Sequence, residues 1–378
     1  MKWYINYKPC DIIVSANITR YESMSNLKPT IYIRVDGNEI IATGHVMRCL
    51  SIAVQLKKMG CSVVFLTADN KPEELIKSRG FSIVVLHTVW DQMDDETEIL
   101  CRYLNDHDAG ILMIDSYQVT PGYLSALSRI VNVIYIDDLK RFAYPVHTVI
   151  NYSVWAREED YARIYQNPLP RFLIGGSYIP LREEFTYIKR TINPDVNTIL
   201  ITMGGTDSYN VIGKLLYKFF DQTIPSDNEH NQTLPSMEYH VIVGIFNQNK
   251  EELYALAKQY PNIHLHENVC NMSDYMRQCD IAISAGGSTL YELCACGTPT
   301  ICMEIADNQN GAKTWQDHDY MLYAGNIAKE EETCLAACLY HLNAYINNYQ
   351  LRRSFSERVQ SLVDGKGAER IAEYLLSI

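Results

Sequence analysis

Ile33-Arg-Val-Asp-Gly-Asn-Glu-Ile-Ile-Ala-Thr-Gly-His-Val-Met-Arg48 has the pattern of an apolar strand that passes through a glycine-containing turn into a helix. Backbone N–H groups at the start of a helix lack intrahelical partners and attract anions. The same positive end favours the neutral imidazole of His45, which can then act as a general base. We therefore expect an anion site and a base here, and the candidate binding residues beside His45 are Arg34, Asp36, Gly44 and Arg48. The alternative is that His45 only caps the helix.

Short apolar strands and helices alternate along the chain from this stretch. Strands that are apolar at nearly every position are typical of parallel sheets covered on both faces. The helix predicted over His45–Met59 has a one-sided apolar stripe, and Gly60 is a natural end for it. The predicted strands are Thr30–Val35, Ser62–Thr67, Ser82–His87, Gly110–Asp115 and Val131–Asp137. Strands joined by helices imply a parallel, doubly wound sheet.

A second alternating series follows the charged segment Arg182–Asp195, which is the expected linker. Its predicted strands are Thr198–Met203, Tyr239–Gly244, Ile263–His266, Ile281–Ser284 and Thr300–Glu304. The polar segment Asp221–Ser236, which contains Asn and Pro, indicates a surface insertion. Glu330–Ile378 has a helical pattern throughout, and such a tail often packs back across a domain junction.

The sequence thus predicts an α/β protein with two doubly wound Rossmann-like domains and a C-terminal helical tail. The predicted segments are an N-terminal arm at 1–28, a first domain at 29–181, a linker at 182–196, a second domain at 197–329 and the tail at 330–378. Two such domains that face each other place ligands in the cleft between them, at the carboxyl ends of the strands.

Composition narrows the class of protein. The 378 residues are 47% hydrophobic and 21% charged, and no apolar run approaches the roughly 20 residues that span a bilayer. A net charge of −12 without a basic cluster argues against nucleic-acid binding. The eleven cysteines are an odd number without metal-ligand spacing, so no metal site is predicted. We find no export signal and expect a cytoplasmic protein without a cofactor, whose oligomeric state the sequence does not indicate.

Two further motifs directly follow predicted strands of the first domain. Asp115-Ser-Tyr117 ends an apolar strand abruptly, and Tyr117 is a candidate for contact with a ligand. The alternative for this motif is a strand-ending turn. The paired carboxylates Asp137 and Asp138 follow the next strand, and they could simply cap a loop. Both motifs lie where the predicted architecture would place a site.

Two glycine-rich turns in the second domain each connect a predicted strand to a helix. Glycines at such a turn let backbone N–H groups approach a pyrophosphate closely. The candidate residues are Gly204, Gly205, Thr206 and Asp207 in the first turn and Gly286, Gly287, Ser288 and Thr289 in the second. The repetition of one device in the same half of the chain predicts a nucleotide diphosphate site.

Three polar side chains complete the candidate nucleotide site. Glu292 could accept hydrogen bonds from both hydroxyls of a ribose, but it also fits a capping box in which it satisfies the N–H group of Thr289. Asn308 and Gln309 lie in a loop after the next strand. Their amides can bind sugar hydroxyls or phosphate oxygens, or merely form a turn.

Taken together, these motifs resemble those of the UDP-2,4-diacetamido-2,4,6-trideoxy-β-L-altropyranose hydrolases of pseudaminic acid biosynthesis and their relatives in surface polysaccharide pathways. The resemblance covers about residues 31–320. It rests on Arg34 and Asp36 with Gly44-His-Val-Met-Arg48, Asp115-Ser-Tyr117, Ile136-Asp-Asp138, Gly176–Phe185, Gly204-Gly-Thr-Asp207, and Gly286-Gly-Ser-Thr-Leu-Tyr-Glu292 with Asn308 and Gln309. The family usually has a glycine two residues before the Gly-His pair, where this chain has Ala42, so the turn can differ in shape.

The resemblance implies a GT-B-like, MurG-like arrangement in which the first domain holds the sugar and the second holds UDP. It implies that His45 activates a water molecule for attack at the anomeric carbon, that the C–O bond breaks with inversion, and that no metal is required. It also implies that Glu292 binds the nucleotide. The expected partner is therefore a UDP-activated amino sugar, and the expected reaction is its hydrolysis to free sugar and UDP.

Two other functions stay open at the level of sequence. A GT-B-type glycosyltransferase would share the UDP site and replace water by an acceptor hydroxyl. A transferase that acts on lipid acceptors should expose an apolar or basic amphipathic surface, and the sequence contains no such segment. The third function is non-catalytic binding of a nucleotide sugar, and the presence of His45 beside Arg34 and Arg48 argues against it.

Overall fold

The computed structural model describes residues 29–165, 168–220, 234–306, 309 and 311–378. The predicted N-terminal arm at 1–28, most of the predicted insertion (221–233) and Asn308 lie outside the described residues. Two parallel sheets follow one another along the chain, and helices connect their strands. The predicted α/β fold class with two doubly wound Rossmann-like domains and a C-terminal helical tail is confirmed.

The first sheet contains seven parallel strands. The elements in chain order are β1 (Thr30–Val35), α1 (Gly44–Lys58), β2 (Ser62–Thr67), α2 (Glu73–Ser78), β3 (Ser82–Val85), α3 (Met93–Asp106), β4 (Ile111–Asp115), α4 (Pro121–Ser128), β5 (Asn132–Ile136), β6 (Thr148–Asn151), α5 (Glu158–Ala162) and β7 (Arg171–Ile174). The strand order is β3-β2-β1-β4-β5-β6-β7. Single turns of 3₁₀ helix at Gly176–Tyr178 and Glu183–Phe185 lead to the second sheet.

Strand β1 lies in the middle of the first sheet and is buried on both faces. Ile31, Ile33 and Val35 pack into the core beside α1, whereas Tyr32 packs into the core on the opposite face. This two-sided burial explains why the strand is apolar at nearly every position. Strands β6 and β7 were not predicted from the sequence, and each contains only four residues.

The second sheet contains six parallel strands. The elements are β8 (Thr198–Thr202), α6 (Val211–Phe220), β9 (Glu238–Ile242), α7 (Lys250–Gln259), β10 (Ile263–His266), α8 (Met272–Gln278), β11 (Ile281–Ala285), α9 (Thr289–Cys296), β12 (Thr300–Glu304), α10 (Lys313–Asp317) and β13 (Leu322–Asn326), with a 3₁₀ turn at Leu234–Ser236. The strand order is β10-β9-β8-β11-β12-β13. The sequence did not predict β13, in which Gly325 interrupts a half-buried edge strand.

Each sheet has one place where the strand order reverses direction. In the first sheet this switch lies between β1 and β4, and in the second it lies between β8 and β11. The chain leaves neighbouring strands in opposite directions at such a point and opens a crevice at their carboxyl ends. His45 follows β1 and Asp115 ends β4, while the two glycine-rich turns follow β8 and β11. The candidate residues therefore gather at the two switch points.

Three helices form the C-terminal tail: α11 (Glu331–Asn347), α12 (Tyr349–Leu362) and α13 (Gly367–Ser377). The first of them packs against the second sheet, where Leu335, Cys338 and Leu342 join its core. Helix α13 returns to the first sheet, and Ile371 and Leu375 are buried beside α1. The tail therefore connects the two halves of the molecule through apolar packing.

The described residues also bear on membrane and metal binding. None of their helices combines the length and apolar character that crossing a bilayer requires. No group of three or more His, Cys, Asp or Glu side chains in the same ranges could hold a metal ion. No disulfide joins two of the ten described cysteines.

Candidate active site

His45 is the second residue of α1, and nine-tenths of it is buried. Its Nδ1 atom lies 2.7 Å from Oδ1 of Asp115, the last residue of β4. Arg48, one turn further along α1, donates a hydrogen bond from Nε to Oδ2 of Asp115 at 2.5 Å. These three side chains form one connected group at the switch point of the first sheet. His45 is therefore fixed by a side chain that is 70 residues away in sequence.

The charge on Asp115 determines how His45 is oriented. Burial alone would raise the pKa of the Asp115 carboxyl, but Arg48 and His45 hold that pKa well below its ordinary value. Nη2 of Arg48 also lies 2.9 Å from Nδ1 of His45, but it donates to Oδ1 of Asp115 at 2.5 Å. We therefore assign a proton to Nδ1, which donates to the carboxylate. Nε2 then carries the lone pair that a general base needs.

Arg48 links this pair to a second carboxylate. Its Nη1 atom donates to Oδ2 of Asp138 at 3.1 Å and to the hydroxyl of Tyr152. The hydroxyl of Tyr117 donates to the same Asp138 oxygen at 2.6 Å. The ring of Tyr117 meets the imidazole of His45 edge-on, with centroids 4.7 Å apart. The Asp115-Ser-Tyr117 motif is thus more than a strand-ending turn, because both ends of it contact His45.

The two adjacent carboxylates after β5 have different surroundings. Asp137 is fully buried and accepts hydrogen bonds from the backbone N–H groups of Leu139 and Lys140 at 2.9 and 3.1 Å. The loop-capping alternative is therefore correct for Asp137. Asp138 is partly exposed and contacts Arg48 instead. Only the second carboxylate of the pair belongs to the site.

A small concavity opens beside His45. The space inside it is about 20 Å³, room for roughly one water molecule, and it is lined by Asp36, Ile41, His45, Trp90, Asp115, Ser116, Tyr117 and Gln118. The lining combines an imidazole, carboxylates and hydroxyls with two aromatic rings, a mixture of polar groups and apolar faces that is typical of ligand sites. Trp90 was not singled out from the sequence, because it lies in the loop before α3 and in no recognisable motif.

Arg34 has a different role from the one expected. It is completely buried, and its guanidinium donates from Nε and Nη2 to Glu96 at 2.7 and 2.8 Å and from Nη1 to Asp36 at 2.5 Å. These bonds leave no exposed donor for a ligand. Arg34 therefore supports β1 and α3 from within, and the expectation that it contacts substrate is wrong for this structure. Asp36 still lines the concavity.

The start of α1 is open to solvent. Thr43 occupies the N-cap position, makes no capping hydrogen bond with its side chain, and precedes an exposed Gly44. His45 does not cap the helix, since its imidazole is bound to Asp115. Ala42 has a φ of 55°, in the left-handed region where the resembling family usually has glycine. The turn therefore has the left-handed backbone conformation that favours glycine, although the residue there is Ala42.

The first glycine-rich turn of the second domain leads into a helix that is already capped. Gly204, Gly205 and Thr206 are exposed, but Asp207 is buried. Its carboxylate accepts hydrogen bonds from the N–H groups of Val211 and Ile212 at 2.7 and 3.1 Å. Asp207 thus satisfies the N-terminus of α6 from within the protein. Only the exposed part of this turn is available to an anion.

The second turn leaves its helix uncapped. Ser288 precedes α9 without a capping hydrogen bond from its side chain. The backbone N–H groups of Gly287, Ser288 and Thr289 have no protein partner among the described residues. Three adjacent donors at a helix N-terminus form a strong site for a phosphate group. The geometry therefore favours the second turn over the first as the main anion site.

Glu292 does not form the capping box that its spacing suggested. Its Oε1 atom accepts a hydrogen bond from Nη2 of Arg182 at 3.0 Å, and Arg182 also pairs with Glu184 at 3.1 Å. Burial raises the pKa of Glu292, and Arg182 opposes that change. The capping-box interpretation is wrong, and Oε2 is left for another partner. Arg182 was not predicted as a site residue, although the Gly176–Phe185 motif contains it.

Gln309 is held close to the second turn. Its Oε1 atom accepts a hydrogen bond from the backbone N–H of Ile305 at 2.9 Å, and its Nε2 atom lies 3.8 Å from the place where a Cβ on Gly287 would sit. The amide nitrogen therefore points toward the same region as the open N–H groups. A separate concavity of about 470 Å³ follows β10 and is lined mainly by residues 265–271. No sequence motif indicated it.

Comparison with known proteins gives one family match and several distant relatives. Residues 202–346 match the model of the Glycosyltransferase family 28 C-terminal domain. The spore coat polysaccharide biosynthesis protein SpsG of Bacillus subtilis is 25% identical over 368 residues, which cover 91% of this chain and 96% of that protein. The pseudaminic acid cytidylyltransferase and UDP-2,4-diacetamido-2,4,6-trideoxy-beta-L-altropyranose hydrolase of Helicobacter pylori is 24% identical over 269 residues, 70% of this chain and 42% of that protein.

A third relative, the uncharacterized protein MJ1062 of Methanocaldococcus jannaschii, is 24% identical over 285 residues, 72% of this chain and 55% of that protein. This chain therefore spans only about half the length of the archaeal and Helicobacter proteins. Among solved structures, MurG of Acinetobacter baumannii has a TM-score of 0.63 at 16% identity, covering 93% of this chain and all of that one. A UDP-glucosyltransferase from Polygonum tinctorium has a TM-score of 0.64 at 12% identity, covering 93% of this chain and 98% of that one. The molecule thus has a GT-B-like fold of two Rossmann-like domains, and its second half is similar to the C-terminal domain of glycosyltransferase family 28.

Proposed function

We propose that this protein hydrolyses a UDP-linked diacetamido-trideoxy hexose to free sugar and UDP, in the biosynthesis of a nonulosonic acid or a related surface polysaccharide. The carrying observation is the pair formed by His45 and Asp115 beside a small polar concavity. A carboxylate that accepts the Nδ1 proton leaves Nε2 as the acceptor for a proton from water. The hydrolase function in the name of the Helicobacter relative adds support for this reaction.

In the proposed reaction, Nε2 of His45 removes a proton from a water molecule as the water oxygen bonds to the anomeric carbon. The bond between that carbon and the phosphate oxygen breaks, and the electron pair leaves with UDP. Attack from the side opposite UDP inverts the anomeric configuration. The open N–H groups at the start of α9 stabilise the diphosphate as charge develops on it. Glu292 binds the ribose through its carboxylate.

The residues proposed to contact substrate are the sequence candidates that lie around His45, in the two glycine-rich turns or beside the second turn. In the first domain these are Asp36, Gly44, Arg48 and Tyr117 around His45. In the second domain they are Gly204, Gly205, Thr206, Gly286, Gly287, Ser288, Thr289, Glu292 and Gln309. We retain Asn308 as a candidate from its sequence position alone, and we assign Asp207 to the support of its helix.

Replacement of the base tests the mechanism. His45→Gln should lower turnover by about 10²–10⁴-fold, the usual contribution of a general base, while UDP affinity measured by calorimetry persists. His107→Gln is a matched control, because His107 is an exposed histidine outside the site. Candidate UDP-sugars are screened by mass spectrometry for free sugar and UDP. Unchanged turnover in His45→Gln would refute the role of His45.

The site of bond cleavage is a separate test. In water enriched in heavy oxygen, attack at the anomeric carbon places the label in the sugar. Label in UDP would instead mean attack at phosphorus and would overturn the proposed mechanism. The same reaction mixture should show the inverted anomer first when followed by proton NMR.

Glycosyl transfer is the second candidate function, and the match to the glycosyltransferase family 28 domain favours it. The same site would perform it if an acceptor hydroxyl replaced water, since His45 could deprotonate either oxygen. Incubation with a UDP-sugar and no acceptor distinguishes the two reactions. Stoichiometric release of free sugar supports hydrolysis, whereas turnover that begins only when an acceptor is added supports transfer.

A further inference from the structure

The segment Tyr152–Trp155 leaves the first sheet after β6 and packs on the second half of the molecule. The ring of Trp155 contacts Trp315, His318 and Tyr320, with centroid distances of 5.3, 4.5 and 6.0 Å. All three partners come from α10 or the residues that follow it. We call Tyr152–Trp155 the bridging segment, because it is continuous with the first sheet and seated against the second.

At its start, the bridging segment touches the network around the base. The hydroxyl of Tyr152 accepts a hydrogen bond from Nη1 of Arg48, and the guanidinium of Arg48 also lies over the Tyr152 ring, 5.3 Å from its centroid. A cation over an aromatic face is held electrostatically. Arg48 in turn holds Asp115, which orients His45. Tyr152 thus does not contact His45 and supports it indirectly, through Arg48 and Asp115.

The bridging segment also touches the helix that carries the proposed nucleotide site. The ring of Tyr152 meets that of Tyr291 edge-on, with centroids 6.1 Å apart. Tyr291 is the third residue of α9, next to Glu292. Burial raises the pKa of the Tyr291 hydroxyl, and the neighbouring side chain of Ser153 and backbone of Val154 oppose that change. One helix therefore presents Glu292 and the open N–H groups to the nucleotide and Tyr291 to the bridging segment.

We propose that Tyr152 is a positioning residue that couples UDP binding at α9 to the orientation of His45. A nucleotide that binds at the start of α9 displaces Tyr291, and the displaced Tyr291 ring moves Tyr152. Because Tyr152 shares the guanidinium of Arg48 with Asp115 and Asp138, its displacement changes how firmly Arg48 holds Asp115. The catalytic consequence rests on the proposed function, but the coupling itself requires only UDP.

The kinetic test uses Tyr152→Phe, which keeps the ring and its contact with Tyr291 and removes only the hydroxyl. Turnover should fall by about 2- to 30-fold, the range for residues that transmit coupling, with KM and UDP affinity unchanged. The pH dependence of kcat should also shift, because Arg48 then holds Asp115 less firmly and Asp115 orients His45. Tyr320→Phe is the matched control, since Tyr320 belongs to the same aromatic cluster without contacting Arg48. A fall in UDP affinity with an unchanged pH profile would mark Tyr152 as merely structural and overturn the proposal.

A second test does not depend on hydrolysis. His45 is modified with diethyl pyrocarbonate, and the rate is read by peptide mass spectrometry with and without UDP. UDP should change the rate in the parent protein and not in Tyr152→Phe, although calorimetry shows that both bind UDP. Direct shielding of His45 by UDP would change both rates equally and overturn the coupling, as would no change in the parent.

Tyr291→Phe keeps the ring and removes the hydroxyl beside Ser153 and Val154, so UDP should change the modification rate of His45 less than it does in the parent. Thermal unfolding followed by circular dichroism establishes that each variant is folded. If the parent shows the coupling but releases no sugar from any UDP-sugar, the proposed function fails while the positioning role stands. If sugar is released normally and both variants respond to UDP like the parent, the positioning role of Tyr152 is wrong while the proposed function stands.

Discussion

The two switch points differ in how many of their polar groups already have partners within the protein. Around His45 in the first sheet, the charges of Asp115, Arg48 and Asp138 have partners within the protein. At the start of α9 in the second sheet, three backbone N–H groups have none among the described residues. The half proposed to perform chemistry is therefore arranged before the substrate arrives, whereas the half proposed to bind is completed by it. Preorganised groups of the first kind need no reorganisation during a reaction.

The two glycine-rich turns repeat this difference on a smaller scale. They have similar sequences and follow adjacent strands, β8 and β11. Asp207 turns back to cap α6, whereas no side chain caps α9. A single carboxylate thus changes a helix N-terminus from an open anion site into a satisfied structural element.

The contrast between the halves should be greatest at Asp115. Asp115→Asn removes the charge that holds the Nδ1 proton of His45, so we expect turnover of the UDP-sugar to fall by about 10²–10⁴-fold, as for loss of the base itself. UDP affinity should not change, because the nucleotide is proposed to bind the other half. Steady-state kinetics and calorimetry on the same preparation measure the two effects. Weak UDP binding with normal turnover would reverse the assignment of the halves.

The same variant has a stability signature that depends on pH. Because the pKa of Asp115 lies well below its ordinary value in the folded protein, the ionised form contributes stability above the unfolded pKa of about 4. That contribution is lost as the pH falls through the folded-state pKa. We expect Asp115→Asn to be less stable by about 3–5 kcal/mol at pH 7, since it breaks a buried pair. Urea unfolding at pH 7 and at lower pH measures the difference, which should shrink on acidification; a constant difference would argue against a buried charge.

Substitution of glycine should separate the two turns. A Cβ on Gly286 would lie 2.9 Å from Cβ of Ala312, whereas one on Gly205 would meet nothing closer than 3.9 Å. Gly286→Ala should displace the open N–H groups and weaken UDP binding by about 10- to 100-fold, the value of one hydrogen bond to a charged group. Gly205→Ala is the matched control, with a much smaller loss expected by calorimetry. Equal losses would mean that both turns bind the diphosphate.

Asp207 should affect stability more than binding. Asp207→Ala removes the cap of α6 and should lower the free energy of unfolding by about 0.5–2 kcal/mol. Asp207→Asn keeps an accepting oxygen and should cost less. Chemical denaturation measures both variants, and calorimetry should find UDP affinity nearly unchanged. A large loss of UDP affinity in Asp207→Asn would return this residue to the binding site.

The smallest effect is expected at Ala42. A non-glycine residue in the left-handed region carries a strain of about 1–2 kcal/mol, part of which the flexibility of glycine in the unfolded chain offsets. Ala42→Gly should therefore raise the free energy of unfolding by less than about 1 kcal/mol. Ala328→Gly is an exposed control without positive φ and should destabilise. Thermal melts compare the two, and destabilisation by Ala42→Gly would show that the turn is not strained.

Much of the fold was predictable because its signals are local. Strands such as Thr30–Val35 and Ser62–Thr67 were predicted with their observed bounds, since buried parallel strands are apolar at nearly every position. The position of His45 at the start of α1 followed from the glycine-containing turn. Strands β6 and β7 escaped prediction because pairing with their neighbours, rather than a pattern of their own, maintains them.

The partners of the site residues were not predictable, because they come from distant parts of the chain. Arg34 was expected to contact the ligand, but it is buried and forms an ion pair with Glu96, 62 residues away. Glu292 was expected either in a capping box or on a ribose, and Arg182 from the linker holds one of its oxygens. A sequence motif shows which functional groups reach a region. It does not show which of them the fold has already neutralised.

Helix α13 packs beside α1 although it follows the whole second sheet in the chain. During synthesis, the first sheet therefore emerges long before the helix that covers part of its apolar surface. An isolated fragment that ends after β7 would expose the surface that Ile371 and Leu375 bury, and such surfaces promote aggregation. The first half of this molecule is thus synthesised first, but its apolar packing is completed only after the last helix has been synthesised.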